Sequence, residues 1–302
     1  MRYHHGKVTT HHWLRWYRSL RLVQMCSSPA SSNNGHRHHL EVTDHAERSK
    51  VMSSAEVVSV MKLSQTVTGF TLRVADQRLT FKAGQWLDLF IPGVEVVGGY
   101  SICSPPHQLV TDRTLQLAIK SSPHTPTLWM CTQCKVGDKL SIRVGGDYYY
   151  DPPGGVEHGR HLLFIAGGIG INPILSMVQH HVHLQTQQHD QTDTGRVQVL
   201  YSTKSRDELV FCDQLAELAR SSASLMMSFY ITREKSTANQ ERSDIKYHRI
   251  NRDDLEQCLS RLQPSDNLTC YLCGPQQMVD MITTTLEQLG VKNSQINSEK
   301  WW

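Results

Sequence analysis

The chain has 302 residues, 39% of them hydrophobic and 20% charged, with a formal net charge of +3. That length suits about two domains, and the balance suits a globular protein with a real core, not a disordered chain. Residues 1–40 hold six of the 31 Lys/Arg and no acid, so residues 41–302 carry 25 basic against 28 acidic groups; this excludes a nucleic-acid-binding body.

The first 45 residues read as a targeting or disordered segment. On a helical wheel Trp13, Trp16, Tyr17, Leu20 and Val23 fall on one side and Arg15, Arg18 and Arg21 on the other, and serines follow. An acid-free, Arg-bearing amphipathic start is the pattern of a mitochondrial transit peptide. The arginines interrupt the apolar run a secretory signal needs.

Residues 50–152 read as short strands: Ala55–Leu63, Phe70–Val74, Trp86–Ile91, Tyr100–Cys103, Leu115–Ile119 and Lys139–Val144. Phe70-Thr-Leu-Arg-Val74 and Leu115-Gln-Leu-Ala-Ile119 alternate apolar and polar, as half-buried antiparallel strands do. Turns with Gly or Pro separate them, and six such strands suggest a small barrel. One helix interrupts the series: Thr125 reads as its cap, Pro126 as its first residue, and Leu128 and Cys131 share a face. Its N-terminus would be an anion site.

Pro152-Pro153-Gly154-Gly155 reads as a linker. Residues 158–302 then alternate strands with helices. His161–Ala166, Val197–Ser202, Leu225–Thr232 and Thr269–Cys273 are the strands; Pro173–Val182, Glu208–Arg220, Arg252–Leu262 and Pro275–Leu289 are the helices. This is a doubly wound parallel sheet. Gln185–Gly195 and Glu234–Asp244 lack periodicity and read as surface loops. The longest nearly apolar stretch, Leu162–Leu175, is too short to span a bilayer, so no transmembrane segment is expected.

Eight cysteines include the pairs Cys131/Cys134 and Cys270/Cys273. The gap between pairs far exceeds that of a zinc ribbon. A three-residue offset along a strand also points Cys270 and Cys273 to opposite faces, so no metal site is expected. Nothing suggests a disulfide framework.

Two turns carry the chemistry. Ala166-Gly-Gly-Ile-Gly-Ile-Asn-Pro173 follows a buried strand and opens a helix. Its glycines permit a tight turn, Asn172 reads as a helix cap, and the helix N-terminus favours a phosphate. Cys273-Gly-Pro-Gln-Gln-Met278 ends a later strand, where ligands of open α/β sheets bind.

Together these turns resemble the nicotinamide half of the ferredoxin–NADP reductase superfamily, whose pattern is G-G-x-G-x-x-P and later C-G-P-x-x-M. The resemblance covers about residues 50–302. It implies a six-stranded antiparallel flavin-binding barrel followed by the NAD(P)-binding sheet, with FAD and NAD as cofactors. The family's R-x-Y-S motif here reads Gly98-Gly99-Tyr100-Ser101, without the Arg, and its G-x-x-S/T reads His124-Thr-Pro-Thr127, without the Gly.

By that resemblance Tyr100 would pack on the flavin, Ser101 would bond near its reactive nitrogen, and Ile102 and Cys103 would offer backbone groups. Thr127 would meet the flavin phosphates. Gly167, Gly168, Ile169, Gly170, Ile171, Asn172 and Pro173 would cradle the nucleotide pyrophosphate, and Cys273, Gly274, Pro275 and Met278 would sit at the nicotinamide. Glu299 with Trp301 or Trp302 would match the family's acidic-plus-aromatic end, giving Ser101, Cys273, Glu299 and Trp302 as catalytic. Ser202, Lys204 and Arg206 would hold the adenosine ribose; their charge suits a 2′-phosphate while nearby Asp207 suits a free hydroxyl, so NADP stays open beside NAD. The expected activity is hydride transfer from NAD(P)H to FAD and onward to a small molecule or protein. The alternative is a non-catalytic nucleotide-binding module that has lost tight flavin.

Overall fold

Two six-stranded sheets carry the chain. The computed structural model describes residues 39–188, 195–235, 244–263 and 266–301. The expected targeting segment lies outside these up to residue 38.

A short helix, α1 (His39–Val42), leads into β1 (Arg48–Lys62), β2 (Val67–Val74), β3 (Trp86–Phe90) and β4 (Gly98–Ser101). Then come α2 (Pro106–Asp112), β5 (Thr114–Lys120), α3 (Thr125–Thr132) and β6 (Lys139–Gly145). The strand order is β4-β3-β6-β1-β2-β5, all antiparallel. A bridge between Ile102 and Leu117 draws the two edges together, so the barrel is nearly closed. Phe70, Leu72 and Val74 face its core, as the alternation predicts.

Asp88 is fully buried on the strand between Leu87 and Leu89. Its carboxylate accepts from Arg48 (Nε, 3.0 Å) and Arg143 (Nη2, 2.6 Å) and pairs with His39 (Nε2, 3.0 Å). Burial pushes this carboxyl up, but His39, Arg143 and Arg48 outweigh it and hold it below its ordinary value. A depressed acid stabilises the fold above its unfolded value, and that contribution is lost as pH falls through the folded value. Asp88→Asn leaves two guanidinium groups uncompensated and is expected to cost about 3 kcal/mol in urea unfolding at pH 7. The gap between variant and parent should close below about pH 4. The same His39 ring lies against Gly99, where an added β-carbon would come within 2.2 Å of it. Residues assigned from sequence to the tail, up to 45, therefore include some that pack on the barrel.

The second sheet follows: β7 (His161–Gly167), α4 (Ile171–Gln187), β8 (Val197–Thr203), α5 (Cys212–Ser221), β9 (Leu225–Ile231) and β10 (Ile245–Lys246). It is completed by α6 (Arg252–Leu262), β11 (Leu268–Pro275), α7 (Gln276–Gln288) and β12 (Ile296–Trp301). The order β10-β9-β8-β7-β11-β12 is wholly parallel, and its direction reverses between β7 and β11. Ligands of such sheets bind beyond the carboxyl ends of the strands at that reversal. Phe164, Ala166 and Cys273 face a core shared with α4 and α5, whereas Leu163, Ile165 and Cys270 face one shared with α6 and α7. Cys270 and Cys273 thus lie on opposite faces of β11. No helix among the described residues is long and apolar enough to cross a membrane.

The barrel and the parallel sheet belong to one compact unit. Helix α4 joins them. Asn172 Nδ2 donates to the Ala118 carbonyl at 2.7 Å, Ser176 Oγ to that of Ser104 at 2.7 Å, and Gln179 Nε2 to that of Cys103 at 3.3 Å.

Several expectations are corrected. Gly170, not Asn172, occupies the cap position of α4, because the Asn172 amide is held by the barrel. Helix α3 is capped at His124, one residue early, and buries Thr127 and Met130 while Leu128 is exposed. Helix α5 starts at Cys212, since Phe211 has φ of 66° and cannot continue a right-handed helix. Helices α1 and α2 and the strands β10 and β12 are additional to the expected elements. Of the expected loops, α4 takes up residues through Gln187, and residues 189–194 and 236–243 fall outside the described residues.

Candidate functional site

The β7 strand ends at Gly167 and passes through a tight turn, Gly168–Gly170, into α4. A β-carbon added at Gly170 would lie 2.5 Å from the Cys273 carbonyl oxygen and 2.9 Å from the Gly274 Cα. One added at Gly274 would lie 3.0 Å from the Gly167 backbone. The two glycine turns therefore meet, and glycine is what lets them. Met278 closes the contact: its Sδ and Cε would be 2.7 and 2.6 Å from a β-carbon on Gly167. Pro275 packs at the same point. The 17-residue α4 begins here with its Ile171 N–H donated back to the Gly168 carbonyl and no N–H at Pro173, so what suits an anion is the positive end of its dipole. Ile171, Asn172 and Pro173 turn their side chains inward.

Strand β12 pairs Glu299 directly with Cys273 and Trp301 with Pro275. Trp302 falls outside the described residues. Glu299 is part-exposed, yet its Oε2 is enclosed and without a hydrogen-bond partner. Desolvation, helped by Asp147, pushes its carboxyl up to about 8. Tyr148, buried, has a hydroxyl without a partner. Its ionisation is pushed well up by burial, with Cys273 and Glu299 adding to the effect. Cys273 is fully buried. Glu299 and Tyr148 are thus both uncharged at neutral pH. Tyr148 escaped the sequence reading because it lies past the last barrel strand; only the run Tyr148–Tyr150 hinted at it.

On the barrel side, the Ser101 Oγ is buried and without a partner. An orphaned buried hydroxyl asks for a ligand or water. Tyr100 takes a different course. Its ring lies over Gly98, where a β-carbon would come within 2.5 Å of Cε2, and its hydroxyl pairs with Thr127 Oγ1 at 3.1 Å. The backbone N–H groups of Ile102 and Cys103 donate to the Gln85 and Gln116 carbonyls at 3.0 and 2.9 Å. Lys120 is paired with Glu208 at 2.6 Å. The barrel thus leaves the Ser101 hydroxyl unpartnered, while Tyr100, Thr127 and Lys120 are already paired within the chain.

At the far end of the nucleotide turn, Ser202 is buried and Lys204 exposed. Arg206 bonds Tyr247 through Nη2 at 2.7 Å, and its amide donates to the Glu234 carboxylate at 3.2 Å. Asp207 accepts from the Gln65 amide of the barrel at 3.1 Å.

Residues 164–284 match the family model described as oxidoreductase NAD-binding domain. Oxidoreductase NAD-binding domain-containing protein 1 of Xenopus tropicalis is 39% identical over 271 residues, covering 87% of this chain and 84% of that protein. The chain belongs to the oxidoreductase NAD-binding domain-containing protein 1 family. Both glycine turns that define its candidate site fall inside the matched span, and the barrel lies before it. The fold of this family member is that of the ferredoxin–NADP reductases. The cytochrome P450 reductase GcoB of Amycolatopsis superposes with a TM-score of 0.68 at 20% identity, covering 83% of this chain and 69% of that one. The ferredoxin NADP+ reductase of Neisseria gonorrhoeae with bound FAD and NADP superposes with 0.65 at 20% identity, covering 83% and 99%.

Proposed function

We propose that the chain is an NADH-dependent flavin oxidoreductase. The observation that carries this is the meeting of the Gly167–Gly170 and Cys273–Pro275 turns at the sheet's reversal point, beside a helix bonded to the barrel near Ser101. The α4 N-terminus would bind the nucleotide pyrophosphate. Flavin, when bound, supplies the hydride-accepting ring. Ser101 would orient it through Oγ, and Glu299 holds a proton on its carboxyl up to about pH 8. Cys273 and Tyr148 keep water from the corner by packing. The onward acceptor is a small molecule or a second protein.

Full-length protein is mixed anaerobically with NADH and added flavin. Loss of the flavin absorbance band at a saturable rate supports the reading. NADH binding without flavin reduction selects the second reading, a nucleotide-binding module without turnover, which the closure of Tyr100 onto Thr127 favours.

NAD is the proposed nucleotide. Of the two cations suited to a 2′-phosphate, Arg206 is held by Tyr247, and the Glu234 carboxylate stands at the same turn. NADH should bind at least about tenfold more tightly than NADPH, and Glu234→Ala should narrow the ratio in parallel titrations. Mitochondrial localisation is proposed from the acid-free, Arg-bearing start. Residues 1–40 fused to a reporter should carry it to mitochondria, and diffuse signal would remove the claim.

A further inference from the structure

We propose that flavin is a dissociable substrate of this chain and not a resident cofactor, because the barrel is built to take the isoalloxazine ring and makes no use of the flavin phosphates. The inference rests on the oxidoreductase reading above and goes beyond it by assigning what the barrel recognises.

A phosphate is gripped in proteins by charge-assisted bonds, most strongly from Arg. Three features deny such a side-chain grip here. First, position 98 is glycine, and it is closed to any side chain while Tyr100 lies over it, with Cε2 at 2.5 Å and the hydroxyl at 2.9 Å from a β-carbon there. Second, Thr127, 6% exposed in the first turn of α3, has its hydroxyl paired with that of Tyr100 at 3.1 Å. Tyr100 thus spans the ground between the flavin strand and the helix that would receive the phosphates. Third, Lys120 at the end of β5 is turned to the parallel sheet, bonded to Glu208 at 2.6 Å.

The ring end is different. Ser101 is 5% exposed, and its Oγ has no partner. A buried hydroxyl left in this state costs stability unless something bonds to it. The barrel has therefore kept a polar contact for the ring and closed the phosphate subsite upon itself. Riboflavin, FMN and FAD share that ring and differ in the part the chain does not hold. The reaction balances without any further group: hydride passes from nicotinamide C4 to flavin N5, solvent supplies a proton to N1, and NAD+ and reduced flavin depart.

The test is binding, read by quenching of flavin fluorescence on full-length protein. Riboflavin, FMN and FAD are expected to show dissociation constants within about tenfold of one another, and dialysis should remove them all. Thr127→Ala should leave the three values in the same ratio. Gly98→Arg, checked for intact folding by circular dichroism, should expel Tyr100 from Thr127. It should also raise FMN and FAD affinity over riboflavin by at least about tenfold. Binding of FMN or FAD more than about tenfold tighter than riboflavin in the unaltered chain would overturn the proposal while leaving the oxidoreductase reading intact. Binding of NADH with no affinity for any of the three flavins would instead remove the oxidoreductase reading, and this inference with it.

Discussion

Gly170→Ala is expected to raise the dissociation constant for NADH by at least about a hundredfold. The added β-carbon would sit 2.5 Å from the Cys273 carbonyl oxygen, 2.7 Å from its carbon and 2.9 Å from the Gly274 Cα. All three are backbone atoms of a strand paired on both sides, with β7 and with β12, so they cannot swing aside as a side chain would. The two turns must part, and the first turn of α4 moves with them. Gly168→Ala is the matched control. It has nothing within 4 Å of the added carbon, and its φ of +55° is one alanine adopts at a cost of about 1 kcal/mol. That variant should lose stability slightly and bind NADH within a fewfold of the parent. Isothermal titration with NADH and with ADP-ribose reads both variants. If Gly170→Ala folds and binds NADH as the parent does, the junction of the turns is not the nucleotide site.

The architecture was open to reading in the sequence because it is written in local periodicity. Phe70, Leu72 and Val74 alternate with polar neighbours, whereas Leu162–Ala166 is an unbroken apolar run and Val197–Ser202 is apolar but for Gln198 and Ser202; each pattern fixes how many faces of its strand are covered. The glycine turns were legible for a related reason, since a strand followed by glycines and a helix has few structural solutions. Pairings across the chain were not. Nothing local in Asn172 says that its amide is held by Ala118, 54 residues away, and so is no cap. Nothing in Gly98-Gly-Tyr100 says that the ring folds over the glycine two positions back, though the missing Arg marked the place. Met278 belongs to a motif that suggests ligand contact, whereas in space it rivets Gly167 to Gly274. The Cys273–Glu299 pairing needed the edge strand β12, too polar to show a strand pattern. Function-bearing juxtapositions of this kind come from topology, and a sequence reveals them only where topology is already known.

Glu299 supplies the second large effect, a pH dependence. Desolvation, with Asp147 adding to it, raises its carboxyl from 4.5 to about 8, so it is protonated at neutral pH and loses its proton above about pH 8. A carboxyl raised in the folded state stabilises the fold least when ionised, so stability declines as pH rises from the unfolded value toward 8. Negative charge beside Cys273 would also oppose entry of an electron-rich hydride donor and of reduced flavin. The rate of anaerobic flavin reduction by the parent should therefore be level up to pH 7 and fall about tenfold per unit above pH 8. Glu299→Gln keeps the shape and the uncharged state at every pH. Its rate should lie within a fewfold of the parent at pH 7, show no break near pH 8, and exceed the parent by about thirtyfold at pH 9.5. Thermal unfolding should follow the same order, with the Gln variant gaining on the parent as pH rises. A break near pH 8 that survives in Glu299→Gln assigns the titration to another group. A Gln variant slower by about a hundredfold at pH 7 would show instead that the Glu299 proton is transferred during reduction.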